Sequence, residues 1–173
     1  MNNESLEIRD LEISDVESVA EIRIRGWQNT YADQMPDDYL KNLSLEKTIL
    51  RWREVLSNPV RDRKAVGAFI SGKLIGYISM GPNRSEDEIN SGEIFAIYVE
   101  PDLQKMGIGT RLINTSTEFF ASLGYSYATL WVLHTNVQAM SFYERKGWSA
   151  SGKRKTESLG NFEISEIQYT RYL

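Results

Sequence analysis

The chain has no cysteine, a single histidine and only four prolines in 173 residues. Without cysteine there is no disulfide, no thiolate metal site and no cysteine nucleophile. One imidazole with no thiol beside it also leaves a transition-metal centre short of its usual ligands, so no metal is expected. No stretch approaches the roughly 18 consecutive apolar residues of a membrane-spanning helix. The first thirty residues are studded with Glu, Asp and Arg, unlike a signal peptide. A basic footprint is missing too: 20 basic against 24 acidic side chains leave a formal charge of −4, which argues against general nucleic-acid binding. These absences lead to the expectation of a cytoplasmic protein with neither membrane nor nucleic-acid partner.

What is present is ordinary globular material, with 41% hydrophobic and 25% charged residues and no repeat or low-complexity segment. The length suits one domain, expected to span 1–173, with a core that buries about 70% of the unfolded surface. Residues 6–9 alternate as a short strand, and Ser14-Asp15-Val16-Glu17 reads as a capping box. Val16, Ala20, Ile24, Trp27 and Tyr31 then form one apolar stripe of a helix, interrupted at Pro36. Leu45, Ile49, Trp52 and Leu56 predict a second helix that stops at Asn58-Pro59. Two β-type runs, Ala65 to Ile70 and Leu74 to Met80, meet at Ser71-Gly72, a hairpin signal. Residues 81–92 read as a polar loop whose Glu86-Asp87-Glu88 run is a solvated tip.

A strand is predicted from Glu93 to Val99, ending at Pro101. Leu112, Ser116, Phe119 and Leu123 mark a third helix, Tyr127 to Leu133 a buried strand, and Asn136 to Lys146 a fourth helix ended by Gly147. Two further strands close the chain. The β-α-β order makes strands 93–99 and 127–133 a parallel pair with a right-handed crossover.

Between strand 93–99 and the third helix lies Gln104-Lys105-Met106-Gly107-Ile108-Gly109-Thr110. A helix start leaves several backbone N–H groups unpaired, and their dipoles favour an anion. Glycine lets the backbone curl around a phosphate without side-chain interference. No Gly-Lys-Ser/Thr follows, so this is not a P-loop, and two glycines are too few for a dinucleotide fingerprint. By itself Gly-x-Gly fits either a phosphate site or a plain loop.

Gln104-x-x-Gly107-x-Gly109 resembles the Gln/Arg-x-x-Gly-x-Gly/Ala signature of the GNAT superfamily of N-acetyltransferases. Asn136, Ala139, Phe142-Tyr143 and Lys146-Gly147-Trp148 resemble that family's last helix, with Trp in place of the usual Phe. Ile8-Arg9, Asp15, Trp27-x-x-x-Tyr31 and Pro36 resemble the opening of many bacterial members, so the resemblance spans nearly the whole chain. It implies an α/β (α+β) fold: a mixed, mostly antiparallel sheet of about seven strands flanked by four helices, with a splayed parallel pair at the cofactor. The implied co-substrate is acetyl-CoA. Its diphosphate would lie on the amides of Gln104, Lys105, Met106, Gly107, Ile108, Gly109 and Thr110. Its pantetheine arm would pair with the backbone of Ile97, Tyr98 and Val99. Asn136 would be a further cofactor contact, although its own position also suits a helix N-cap. Lys105, Arg111 and Arg145 have the charge to meet phosphate and equally suit solvated surface.

Acetyl transfer to an amine needs a neutral amine and a protonated leaving thiolate. Glu93 alternates with Phe95, Ile97 and Val99, an odd place for a charge unless it faces a cleft, and it lies eleven residues before Gln104, the offset of the acidic base in some members of the family. It is equally read as the exposed first residue of its strand. Tyr143 occupies the family's position for the general acid, or is a core tyrosine. The lone His134 reads as a loop side chain near the mouth of the site. Without cysteine an acyl-cysteine intermediate is impossible, and direct attack in a ternary complex is expected.

The resemblance places the acceptor against the first two helices, with Trp27 and Tyr31 as wall residues, Tyr39 as a further candidate and Asp33, Asp37 and Asp38 the nearest acids; Trp52 fits the core better. Residues 1–100 carry 18 acidic and 12 basic side chains (net −6) and residues 101–173 carry 6 and 8 (net +2), which suits a cationic amine and an anionic cofactor. A small-molecule amine acceptor leads, ahead of a protein N-terminus or lysine and of a non-catalytic acyl-CoA sensor. Pairing of two copies through residues 161–172 is a further expectation.

Overall fold

The computed structural model describes residues 5–32, 34–104 and 106–173. In chain order the elements are β1 (Glu7–Asp10), α1 (Val16–Thr30), α2 (Asp37–Lys41), α3 (Leu45–Ser57), β2 (Lys64–Ile70), β3 (Lys73–Pro82), β4 (Ser91–Val99), α4 (Ile108–Ser122), β5 (Tyr127–Leu133), α5 (Val137–Arg145), β6 (Ser149–Leu159) and β7 (Phe162–Tyr172). The strands form a seven-stranded sheet of order β1-β2-β3-β4-β5-β7-β6, mostly antiparallel with β4 and β5 parallel. The expected four helices are there, and α2 is a fifth. Its five residues are too short to show an apolar period, and its start is fixed by Pro36, whose carbonyl accepts from the Tyr39 and Leu40 amides. No helix among the described residues is long and apolar enough to cross a membrane.

The chain forms two compact units, Met1–Ser79 with Ala96–Thr115 and Met80–Phe95 with Ser116–Leu173; β3, β4 and α4 contribute residues to both. In the first, Leu11, Val16, Val19, Ile22, Trp52, Phe69, Leu74 and Tyr77 form the core, with Ile49, Leu56, Ala96 and Tyr98 packed against it. Trp52 is a core residue as expected, edge-on to Tyr77 at 5.2 Å. The buried face of α1 runs through Val16, Val19, Ala20, Ile22 and Gly26, so Ile24 and Trp27 of the predicted stripe sit at its border. Gly26 shifts the face because it leaves room for the Tyr98 ring, 2.8 Å from where a β-carbon would stand.

The cap of α1 also differs from Ser14…Glu17. The Asp15 carboxylate accepts from the Glu12 amide at 2.8 Å and from Arg9 at 2.7 and 3.0 Å. The Ser71-Gly72 turn is as predicted, with φ of 49° and 76°, the two positive values of a type I′ hairpin.

In the second unit β5 is flanked by β4 and β7, with Glu93 opposite Thr129, Trp131 opposite Gln168, and Leu133 opposite Glu166. Lys155 of β6 in turn faces Glu166. Opposed residues share a face and faces alternate along a strand. One face therefore carries Glu93, Thr129, Trp131, Glu166, Gln168 and Lys155, and the other carries Ile94, Leu130, Val132, Ile167 and Tyr169. Tyr143 of α5 packs on the second, apolar face, its ring centroid 6.3 Å from that of Tyr169. Gly147, at φ +80°, ends α5 with the Trp148 amide bonded to the Tyr143 carbonyl and its own to that of Glu144. The strand expected to offer a pairing edge, β7, lies between β5 and β6. The free edge belongs to β6.

Of the Glu86–Glu88 run, Glu86 and Asp87 are exposed as a solvated tip requires, and Glu88 is not. The run forms a 3₁₀ turn with Glu88 buried, accepting from Lys153 at 2.7 Å and from Gln168 and Asn83 at 2.9 Å. Asn83 also bonds Ser91 and Thr129, tying the turn to β4 and β5. Burial pushes the Glu88 carboxyl up, but the Lys153, Gln168 and Asn83 hydrogen bonds outweigh it and hold it below the usual carboxylate range. A depressed native pKa contributes stability that is complete above the unfolded value of about 4.3 and is lost as pH falls through the native value. Glu88→Gln is expected to cost about 1–2 kcal/mol at neutral pH. Urea unfolding should show that gap closing once the pH is below the native value; a gap that persists unchanged into strong acid means the charge of Glu88 contributes nothing.

Candidate functional site

After β4 the chain makes a 3₁₀ turn at Pro101–Leu103, then Gln104 is extended and Gly107 turns at φ +83°. Ile108 is buried, which pins the first turn of α4 to the first unit, and the Arg111 amide makes the first helical bond, 3.1 Å to the Gly107 carbonyl. The amides of Ile108, Gly109 and Thr110 precede that bond and have no helical carbonyl to meet. They point out of a fifteen-residue helix whose dipole favours an anion there. A β-carbon at Gly107 would meet nothing within 4 Å, so its glycine serves the positive φ rather than a tight contact. Met106 is exposed, and Lys105 lies outside the described residues.

Glu100, beside this loop, would repel an anion. Arg25 of α1 neutralises it with a two-point pair, 2.5 and 3.2 Å. The sequence does not announce that pairing, because the partners are 75 positions apart.

Ile97, Tyr98 and Val99 close β4. The Tyr98 side chain is committed to the first unit, its hydroxyl accepting from Trp27 Nε1 at 2.6 Å. Trp27 and Tyr31 are half-buried neighbours, edge to face at 5.2 Å, with Tyr39 at 6.5 Å from Trp27 and Arg23 at 5.1 Å over its ring. Of the three acids expected nearby, Asp37 pairs with Lys41 and Asp38 lies in the first turn of α2. Asp33 lies outside the described residues.

Glu93 is 2% exposed, so it is not the solvated start of a strand. Its Oε2 accepts from the Arg84 backbone N–H at 3.1 Å and from Arg84 Nε at 3.0 Å, and its Oε1 from Nη2 at 2.5 Å. The guanidinium lies 4.9 Å over the Phe95 ring. It is held charged chiefly by its hydrogen bonds to Glu93, against the opposing effect of burial. Glu93 lines a cleft of about 300 Å³ with Asn83, Arg84, Trp131, Lys155 and Glu157. Those companions were not found from the sequence, where Arg84 sits in an apparently plain polar loop and Lys155 in a strand that reads as solvent-facing.

Asn136 caps α5, its side-chain oxygen accepting the Ala139 amide at 3.1 Å, which bears out the N-cap role and leaves its amide NH₂ for another partner. Tyr143 is buried, in ring contact with Phe142, Trp148 and Tyr169. Glu93 and Tyr143 thus belong to opposite faces of the second unit. His134 is exposed, with Nδ1 3.1 Å from the Ser165 carbonyl, as a loop side chain.

The sequence model of the Acetyltransferase (GNAT) family matches residues 16–148. The uncharacterized N-acetyltransferase YuaI of Bacillus subtilis is 30% identical over 93% of this chain and 87% of its own length. The spermidine N(1)-acetyltransferase of Thermoplasma acidophilum is 28% identical over 83% of this chain and 88% of its own. Among solved structures, the PaiA N-acetyltransferase of Thermoplasma acidophilum in complex with coenzyme A is similar at a TM-score of 0.72 and 26% identity, covering 98% of this chain and 99% of that one. A GCN5-related N-acetyltransferase from Rhodopseudomonas palustris shares the fold at 0.78 and 21% identity, covering 100% and 99%.

Removing the cation from a buried carboxylate leaves its charge uncompensated. Arg84→Met is expected to lower stability by about 1–3 kcal/mol, less than for a fully buried pair because the guanidinium is half exposed. Urea unfolding at neutral pH checks it, and unchanged stability would show that water alone satisfies Glu93.

Proposed function

The chain belongs to the acetyltransferase (GNAT) family and is an N-acetyltransferase; on that premise we propose that it moves the acetyl group of acetyl-CoA to a primary amine of a small molecule by direct attack in a ternary complex. The observation that carries the donor half is the head of α4, where Gly107 presents the amides of Ile108, Gly109 and Thr110 to an anion. The relative solved with coenzyme A has the same fold. In this reading Gln104, Lys105 and Met106 complete the cradle for the diphosphate. The pantetheine arm pairs with the backbone of Ile97, Tyr98 and Val99. The described register of β4 with β5 runs only from Ser91 to Ile94, which agrees with a strand whose later residues serve a ligand. The free NH₂ of Asn136 supplies a further donor.

An acceptor amine of pKa about 10.4 is neutral in roughly one molecule in 2,500 at pH 7, a cost of about 4.6 kcal/mol. Glu93, held by Arg84 at the edge of the cleft, is the proposed base. Its role is to hold the ammonium group by charge and pass its proton on through water. Tyr143 is the proposed acid for the departing thiolate. A phenol near 10 donates to a thiol near 8.5 with a gap of under about two units. Glu93 and Tyr143 lie on opposite faces of the sheet within the second unit. Trp27 and Tyr31 are proposed as wall residues for the acceptor. The cleft beside Glu93, about 300 Å³, supports a small acceptor rather than a peptide. The similarity to a spermidine acetyltransferase supports a small amine as well.

Thiol release from acetyl-CoA across a panel of primary amines and peptides, with the product weighed by mass spectrometry, tests this function. Acetylated small amines are expected, and turnover confined to peptides contradicts it. Tyr143→Phe is expected to lower kcat by on the order of 10²-fold with acetyl-CoA affinity unchanged. An unaltered kcat assigns the acid to another group.

A further inference from the structure

The Glu93 cleft contains a second cation position besides that of Arg84. Lys155 Nζ lies 4.8 Å over the Trp131 ring, 2.9 Å from Glu157 Oε1 and 2.9 Å from Glu166 Oε2. An aromatic face and two carboxylates around one ammonium form a set that recognises a compact cation. Burial works against the charged lysine, but the Glu166 and Glu157 hydrogen bonds outweigh it, so the position favours a cation on balance. Trp131, Lys155 and Glu157 line the same cavity as Glu93. The lysine is a third exposed, on a flexible stem, and it comes from the strand with the free sheet edge. It can leave for water at the loss of two ion pairs and the contact with Trp131, which an incoming ammonium group replaces. The charged residues that line the cleft balance, Glu93 and Glu157 against Arg84 and Lys155, so departure of the lysine leaves one surplus negative charge for an incoming ammonium group.

We propose that the position of Lys155 Nζ over Trp131 is a subsite for the second ammonium group of a diamine or polyamine acceptor, which displaces the lysine side chain when it binds. The inference rests on the cleft beside Glu93 being the acceptor's side. It assigns specificity to Trp131, Glu157 and Glu166, and to Lys155 the role of an internal competitor. A plain cross-strand ion pair between Lys155 and Glu166 would contribute a little stability and have no effect on the choice of amine.

The test uses a series of α,ω-diamines and monoamines of matching length, with steady-state kinetics on the wild-type enzyme, Lys155→Met, and the double variant Glu157→Gln with Glu166→Gln. Titration calorimetry of the same amines runs alongside, and thermal melts confirm each fold. The wild type is expected to prefer a diamine over its matching monoamine only modestly in KM, because the diamine displaces a lysine that already makes the same contacts. The preference rises to about tenfold or more in Lys155→Met, on the scale of one cation–π contact with ion pairing. The double variant loses most of that preference. Lys155→Met lowers the diamine KM relative to the monoamine KM. Trp131→Leu gives a second route to the same loss should the double variant not fold. Equal shifts for diamines and monoamines, or weaker diamine binding by Lys155→Met, overturn the proposal. Should no amine be acetylated, calorimetry still decides the subsite: diamine binding lost with Glu157 and Glu166 upholds it, and its absence in the wild type refutes it.

Discussion

A helix that begins immediately after a left-handed glycine cannot satisfy its own first amides. At α4 those amides belong to Ile108, Gly109 and Thr110, with buried Ile108 fixing the turn and Gly107 supplying the positive φ. The proposed placement of the donor's diphosphate rests on this constraint, because an anion is what a set of unpaired N–H groups at a helix head recognises. The neighbouring charges agree with it. Glu100 would oppose an anion, and Arg25 cancels it through two hydrogen bonds. The loop is thus adapted to negative charge without carrying a cluster of basic side chains, which is consistent with an acidic chain that still binds a polyanionic cofactor.

The second constraint is the twofold period of β-strands. In the second unit it sorts residues into a polar face with Glu93, Trp131, Lys155 and Glu166 and an apolar face with Ile94, Leu130 and Tyr169, against which Tyr143 packs. The proposed acid and base, Tyr143 and Glu93, thereby lie on opposite faces. Polar groups on the first face are almost fully paired. Glu88 binds Lys153, Gln168 and Asn83, and Asn83 holds the segment from which Arg84 reaches Glu93. A buried carboxylate is tolerated there because each oxygen has donors.

Much of this was legible in the sequence wherever the signal is local. Ser71-Gly72 needs positive φ at both positions, Asn136 precedes an apolar run by the interval of a cap, Gly147 stops a helix, and Gly107 follows a strand and opens an amphipathic helix. Each is decided within a few residues. Apart from the cap of α1, which runs locally through Glu12 and Asp15, the failures are long-range or cooperative. Glu88 looks like part of an acidic tip because its partners Lys153 and Gln168 lie 65 and 80 positions away. The face of α1 rotated because a Tyr98 ring packs over Gly26, which no helical period encodes. The order of the last two strands, with β7 inside β6, is not encoded locally because it depends on which of them meets β5. Arg84 was hidden for the same reason: its role exists only once β4 has put Glu93 beneath it.

The direct test of the donor assignment is amide chemical-shift mapping of ¹⁵N-labelled protein titrated with coenzyme A. Saturable shifts greatest at Gly107, Ile108, Gly109 and Thr110, with smaller ones at Ile97 to Val99, are the predicted result. Saturable binding that leaves those amides unmoved, or no saturable binding at millimolar cofactor, would contradict the placement of the diphosphate on α4 and the account built on it.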